Sequence, residues 1–186
     1  IYCSSEVFPD HFDCVNDHDV DIYYYGSNNV PSDLREIGTS ILKTMDAKYR
    51  YFHIEFLRMS EDKEGLGKKG DLIGLEVNMR APGGYTPDMI NFAYSCDIYQ
   101  IWADVMAFDE VRHAPTLEKQ YCCYCARRFD RAYKHSIDEI LEKYKQICFY
   151  KDNPKVLSDA MGDYFFMCRF VNKEDMDEYI KFILEK

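Results

Sequence analysis

The alternation of apolar and polar residues is clearest between positions 51 and 80. Phe52, Ile54 and Phe56 fall on one face of an extended chain, and His53 and Glu55 fall on the other. A polar stretch rich in glycine and charge occupies residues 60–70. After it, Leu75, Val77 and Met79 alternate with Glu76, Asn78 and Arg80. Strand, loop and strand predict an antiparallel hairpin over 51–59 and 72–79. A loop centred between Gly65 and Leu66 sets Glu55 opposite Glu76 and His53 opposite Asn78.

Helical spacing appears on either side of this hairpin. Leu34, Ile37, Ile41, Leu42 and Met45 predict a helix opened by Pro31-Ser32-Asp33, with Ser32 as its N-cap. Ala81-Pro82-Gly83-Gly84 is a turn. Thr86-Pro87-Asp88 then starts a helix expected to run to about Phe108, carrying Met89, Ile90, Ala93, Ile98, Ile101, Trp102 and Val105 as its apolar positions. A strand is expected at 21–25, ended by Gly26-Ser27-Asn28-Asn29, whereas residues 1–16 show no clear period. Beyond residue 110 the pattern predicts strands at 120–127, 146–150 and 164–171. Helices are expected at 136–144 and 173–184, the last capped by Asn172. The expected fold is α+β, an antiparallel sheet with flanking helices. It is divided into residues 1–110 and a small α+β extension, residues 111–186, packed on them.

Composition narrows the function classes. The 186 residues suffice for one domain, and 16 Tyr and 12 Phe supply a core. A formal charge of −10 repels phosphate backbones and anionic lipid surfaces, and no Lys/Arg run offsets it. No nucleic-acid or membrane partner is therefore expected, and no stretch is apolar enough to span a bilayer. Eight cysteines are scattered along the chain, and they are read as reduced, mostly buried thiols of a cytoplasmic protein. Cys122-Cys123-Tyr124-Cys125 invites a metal or redox reading. No second Cys or His pair stands at zinc spacing to complete four ligands. The start at Ile1-Tyr2-Cys3, without Met, suggests a fragment of a longer protein.

The polar face of the hairpin carries the chemistry. Opposed side chains on one face of an antiparallel pair lie with Cβ atoms about 5 Å apart, and like charges there are destabilising. Glu55 and Glu76 so placed call for a cation, a proton or open solvent. Asn78 adds a neutral oxygen and Arg80 a positive charge. Oxygen donors of this kind suit Mg²⁺, which takes one or two carboxylates plus substrate phosphates. Such an alternating face is also what the solvated side of any sheet looks like.

The stretches Phe52-His53-Ile54-Glu55-Phe56, Gly74-Leu75-Glu76-Val77-Asn78-Met79-Arg80 and Pro82-Gly83-Gly84 resemble the metal-binding strands of the ATP-grasp superfamily. Ala160-Met161-Gly162-Asp163-Tyr164 is similar to the tail of its carboxylate–amine ligases. The resemblance implies the C-terminal part of an ATP-grasp domain. Glu55, Glu76 and Asn78 would be ligands of Mg²⁺ or Mn²⁺, and Arg80 the catalytic contact to the phosphate or acyl phosphate. Gly83 and Gly84 would let the backbone approach the substrate. The implied partners are ATP as co-substrate, a small carboxylate and an amine, with a homo-oligomer left open. The lysine-bearing phosphate strands of the superfamily are missing from this chain and are expected upstream of Ile1, so the fragment alone is expected to be inactive. The alternative is a non-catalytic binding module that keeps the fold. Of the remaining residues, His53 is read as a hydrogen-bonded strand histidine, His113 and His135 as surface residues, and Trp102 as core. The 60–70 loop is read either as a flap over the nucleotide or as a plain hairpin tip.

Overall fold

The computed structural model describes residues 4–8, 20–113, 119–145 and 148–186. In chain order these form β1 (Ser4–Phe8), β2 (Tyr23–Ser27), α1 (Ser32–Thr44), β3 (His53–Arg58) and β4 (Leu72–Asn78). There follow α2 (Thr86–Tyr94), α3 (Ile98–Phe108), β5 (Tyr121–Arg127), α4 (Ile137–Tyr144) and β6 (Cys148–Asp152). A 3₁₀ turn (Lys155–Leu157), α5 (Ser158–Met161), β7 (Tyr164–Phe170) and α6 (Lys173–Leu184) complete the order.

β5 and β7 are nearly continuous apolar runs because both of their faces are covered. They sit at the centre of a five-stranded sheet of order β1-β2-β5-β7-β6, antiparallel at every junction. On one face Tyr24, Cys122, Tyr124, Phe165 and Met167 pack with Met89, Ala93 and Tyr94 of α2. On the other, Tyr25, Cys123, Cys125, Phe166 and Cys168 pack with Ile140 of α4 and with Met176, Tyr179 and Ile183 of α6. The α+β class with an antiparallel sheet and flanking helices is what the structure has. The sheet takes strands from both sides of residue 110, so that position does not separate two sheets. No helix among the described residues is long and apolar enough to cross a membrane.

Several local expectations are corrected. Residues 1–16, where no period was visible, contain β1, which pairs with β2 from Ser4↔Ser27 to Phe8↔Tyr23. β2 runs through Gly26 and Ser27, which the turn signal had placed outside it, because β1 and β5 pair with it on both edges. Pro31, not Ser32, is the N-cap of α1, and no side chain caps that end. The single helix expected over 86–108 is two helices. Ser95 takes a left-handed conformation at the end of α2, and Asp97 restarts the chain by accepting from Tyr99 N and Gln100 N at 3.0 Å. His113 is exposed, as read from the sequence, and has a buried partner. Its Nδ1 lies 2.6 Å from buried Asp104, which also accepts from Gln100 Nε2 and from the Arg112 and His113 amides. Burial alone would raise the Asp104 pKa, but hydrogen bonds from His113 and Gln100 outweigh it and hold the carboxyl below its usual range. His135 stacks on Phe182 and reaches Glu185. α6 spans 173–184 with Asn172 as its cap, as read from the sequence. Gln146, expected to begin β6, lies outside the described residues.

The reading of all cysteines as free thiols is corrected at one pair. Cys148 on β6 and Cys168 on β7 are direct cross-strand partners with Cα atoms 4.0 Å apart, and they form a disulfide. Cys96, Cys122, Cys123 and Cys125 are free, and burial pushes the thiols of the last three far above their ordinary range. Cys3 and Cys14 lie outside the described residues. The bond closes a loop across a separation of 20 residues. On chain-entropy grounds, reducing it is expected to cost about 3 kcal/mol of stability. Urea unfolding with and without dithiothreitol measures this, and coincident curves would show that the bond does not form in solution.

Candidate metal and phosphate site

The β3–β4 hairpin forms its own two-stranded sheet. Its register sets His53 opposite Asn78, Ile54 opposite Val77 and Glu55 opposite Glu76. The pairing expected from the loop centre therefore holds for the candidate ligands. Beyond them a bulge between Glu55 and Phe56 shifts the register, and Phe56 faces Gly74. Two tethers fix the hairpin to the helices. Tyr51 Oη donates to Ile98 O at 2.9 Å, and Arg58 Nη1 meets Asp33 Oδ2 at 2.8 Å. On its apolar side Leu75 and Val77 are exposed.

His53, Glu55, Glu76 and Asn78 occupy the corners of a four-residue square on the polar face. One ligand atom from each of His53, Glu55 and Glu76 lies within 4.8 Å of the other two. His53 Nε2 is 3.3 Å from Glu55 Oε1, and Asn78 Nδ2 donates to Glu76 Oε1. No Lys or Arg among the described residues comes within 4.0 Å of either glutamate. His53 Nδ1 is buried and has no hydrogen-bond partner. Two opposed carboxylates without a Lys or Arg partner, beside an imidazole with an unsatisfied nitrogen, are a donor set that fits a divalent cation. Asn78 could join it by turning its Oδ1 toward the glutamates. Residues at this spacing were legible as a pair of carboxylates and an amide. The third donor, His53, was visible by the same alternation but had been read as a strand histidine with a hydrogen-bond partner.

Arg80 follows at the end of β4, where Nη1 donates to Ala81 O at 3.0 Å. No carboxylate among the described residues pairs with it within 4.0 Å. It lines a cleft of ≈ 200 Å³ with Tyr51, Pro82, Pro87, Ile98 and Trp102 among the walls. Trp102 is 42% exposed there and meets Tyr51 edge-on at 6.2 Å, so its reading as core is corrected. The periodicity that marked Trp102 as apolar could not show that α3 is covered on one side only.

The two glycines of the turn behave differently. Gly84 has φ +59, and a Cβ there would touch Met161 Cε at 3.5 Å. A Cβ on Gly83 would meet nothing within 4 Å, so it is the Gly83 backbone that faces open space. The 60–70 loop is a tight tip, closed by Lys63 N to Gly67 O at 2.8 Å and Lys69 N to Asp62 Oδ1 at 2.8 Å. The three cysteines of β5 are not part of any group able to hold a metal ion among the described residues; the only such group is His53, Glu55 and Glu76.

No protein-family model and no curated protein matches this chain.

Proposed function

We propose that the chain carries the metal- and phosphate-handling strands of an ATP-dependent carboxylate–amine ligase. In such a reaction the acid attacks the γ-phosphorus of ATP and releases ADP. The amine then displaces phosphate from the acyl phosphate to give an amide. The observation that carries the reading is the square of donors on the hairpin, two of them opposed carboxylates with no Lys or Arg partner among the described residues. Glu55, Glu76 and Asn78 would hold Mg²⁺ or Mn²⁺, with His53 beside them. The ion would supply charge neutralisation for the phosphate oxygens.

Arg80 acts from the end of the same strand. Its guanidinium donates to one backbone carbonyl and has further donors for an anion. It would hold the carboxylate and then the charge that develops on the transferred phosphoryl group. The backbone at Gly83 gives the acid room to approach. Positioning and charge neutralisation supply most of the catalysis in chemistry of this kind.

The test is ADP release, with Mg²⁺ and ATP against panels of acids and amines, from a longer polypeptide that also carries the lysine-bearing phosphate strands. Arg80→Gln is expected to lower kcat by about 10²–10³, the scale of losing one transition-state donor. Turnover unchanged by that substitution would sink the role of Arg80. An absence of both turnover and Mg²⁺-dependent binding of an ATP analogue would favour the non-catalytic module.

A further inference from the structure

We infer that the cleft beside Arg80 selects carboxylic acids whose body is a single ring or a compact apolar group. The inference rests on Arg80 as the carboxylate contact and names the class of acid it receives. Apart from Arg80 the walls are mostly apolar: the Tyr51, Tyr99 and Trp102 rings, Ala81, Pro82, Pro87 and Ile98. Arg80 is the only charged side chain among the lining residues. One guanidinium in an otherwise apolar cleft matches a monoanion with an apolar body. A polyanion would bring further negative charge against proline and isoleucine, with Arg80 as the one cation of the lining to neutralise it.

Size restricts the body further. A dry cavity of about 150 Å³ is known to accommodate benzene, and this one measures ≈ 200 Å³. The cleft, open on one side, has room for one six-membered ring with its carboxylate against its walls. The indole of Trp102, 42% exposed in the cleft wall, is apolar surface on which such a ring can pack. Tyr51, which meets Trp102 edge-on, is held by its hydroxyl on Ile98 O and so is anchored before a ligand arrives. Arg80 lies two residues beyond Asn78, at most about 7 Å along the chain. An acid seated here therefore presents its carboxylate at the end of the strand that bears the candidate metal ligands.

Trp102 is the only tryptophan of the chain, so its fluorescence reports on this cleft alone. We would titrate the protein, without metal or nucleotide, with benzoate, with benzamide (the ring without the charge) and with acetate (the charge without the ring). Benzoate is expected to give a saturable change, with affinity at least about tenfold above both controls. Arg80→Gln is expected to keep the fold by circular dichroism and to erase the preference for benzoate over benzamide. Trp102→Phe, followed by calorimetry, is expected to keep benzoate binding and so shows that the ring site does not depend on the reporter. Equal affinity for the three probes, no response to benzoate, or a preference that survives in Arg80→Gln would each overturn the inference. A parallel titration with Mg²⁺ and an ATP analogue, on the longer polypeptide that carries the phosphate strands, separates the two ideas. Nucleotide binding without benzoate binding removes only the acid class, whereas the reverse removes only the ligase reading.

Discussion

Replacing Glu76 by Gln is expected to stabilise the metal-free protein and, in the same molecule, to abolish the divalent-cation binding proposed for the hairpin. The two effects have one cause. Glu55 and Glu76 face each other across the hairpin, and no Lys or Arg among the described residues lies within 4.0 Å of them. A like-charged cross-strand pair costs about 0.2–1 kcal/mol, which an amide at position 76 relieves. A bound cation turns that repulsion into two coordinate bonds. Losing one ligand should cost more than the 10–100-fold typical of a lost outer-shell partner, so at least about 100-fold in affinity. Thermal melts without metal should therefore shift upward for the variant, and calorimetric titration with Mn²⁺ should lose its saturable heat. His53 gives the site a nitrogen donor, so Mn²⁺ is expected to bind more tightly than Mg²⁺, and His53→Ala to narrow that difference. Mn²⁺ binding equally well to the wild type and to Glu76→Gln would end the metal assignment, whatever the melts show.

What the sequence made legible and what it hid divide along local and non-local lines. The hairpin register followed from alternation plus the centre of one loop, both local, and it held at Glu55↔Glu76 and His53↔Asn78. It failed one residue later, at the bulge before Phe56, because nothing in Phe56 or Gly74 announces an extra residue in one strand. The break between α2 and α3 had a local signal, Asp97 as a cap, but the apolar periodicity of Ala93, Ile98 and Ile101 continues across it and concealed the left-handed Ser95. α6 with its Asn172 cap was readable because cap and period agree. The Cys148–Cys168 bond depends on β6 lying beside β7, a fact of sheet order that no spacing encodes. The cleft is of the same kind. It joins Tyr51, the Pro82 turn and three positions of α3, which meet only once the hairpin is tethered to Ile98.

The largest effect on stability is expected at a residue outside the site. Gly162 closes α5 with φ 76 and ψ 169, a region that only glycine occupies without strain. A Cβ there would stand 2.7 Å from the Ala126 Cβ and 3.1 Å from the Arg127 carbonyl oxygen, both part of the central strand β5. Neither neighbour is the end of a flexible side chain, so β5 or the turn itself has to move. Backbone strain of about 1–3 kcal/mol and overpacking of similar size put Gly162→Ala near 3 kcal/mol or beyond. For a chain of this length that corresponds to a fall in Tm of roughly 6–12 °C. The damage would also travel toward the site. Asn153 Nδ2 donates to Gly162 O, Met161 O and Tyr124 Oη, and Met161 is the residue that Gly84 faces. Gly83→Ala is the control, since its Cβ enters open space and should leave Tm unchanged. Calorimetric melts of the two variants decide the matter. A Gly162→Ala protein that melts with the wild type would mean that β5 and the turn sit further apart than 2.7 Å allows, whereas a large drop confined to Gly162 ties the support beneath the Gly83-Gly84 turn to the centre of the sheet.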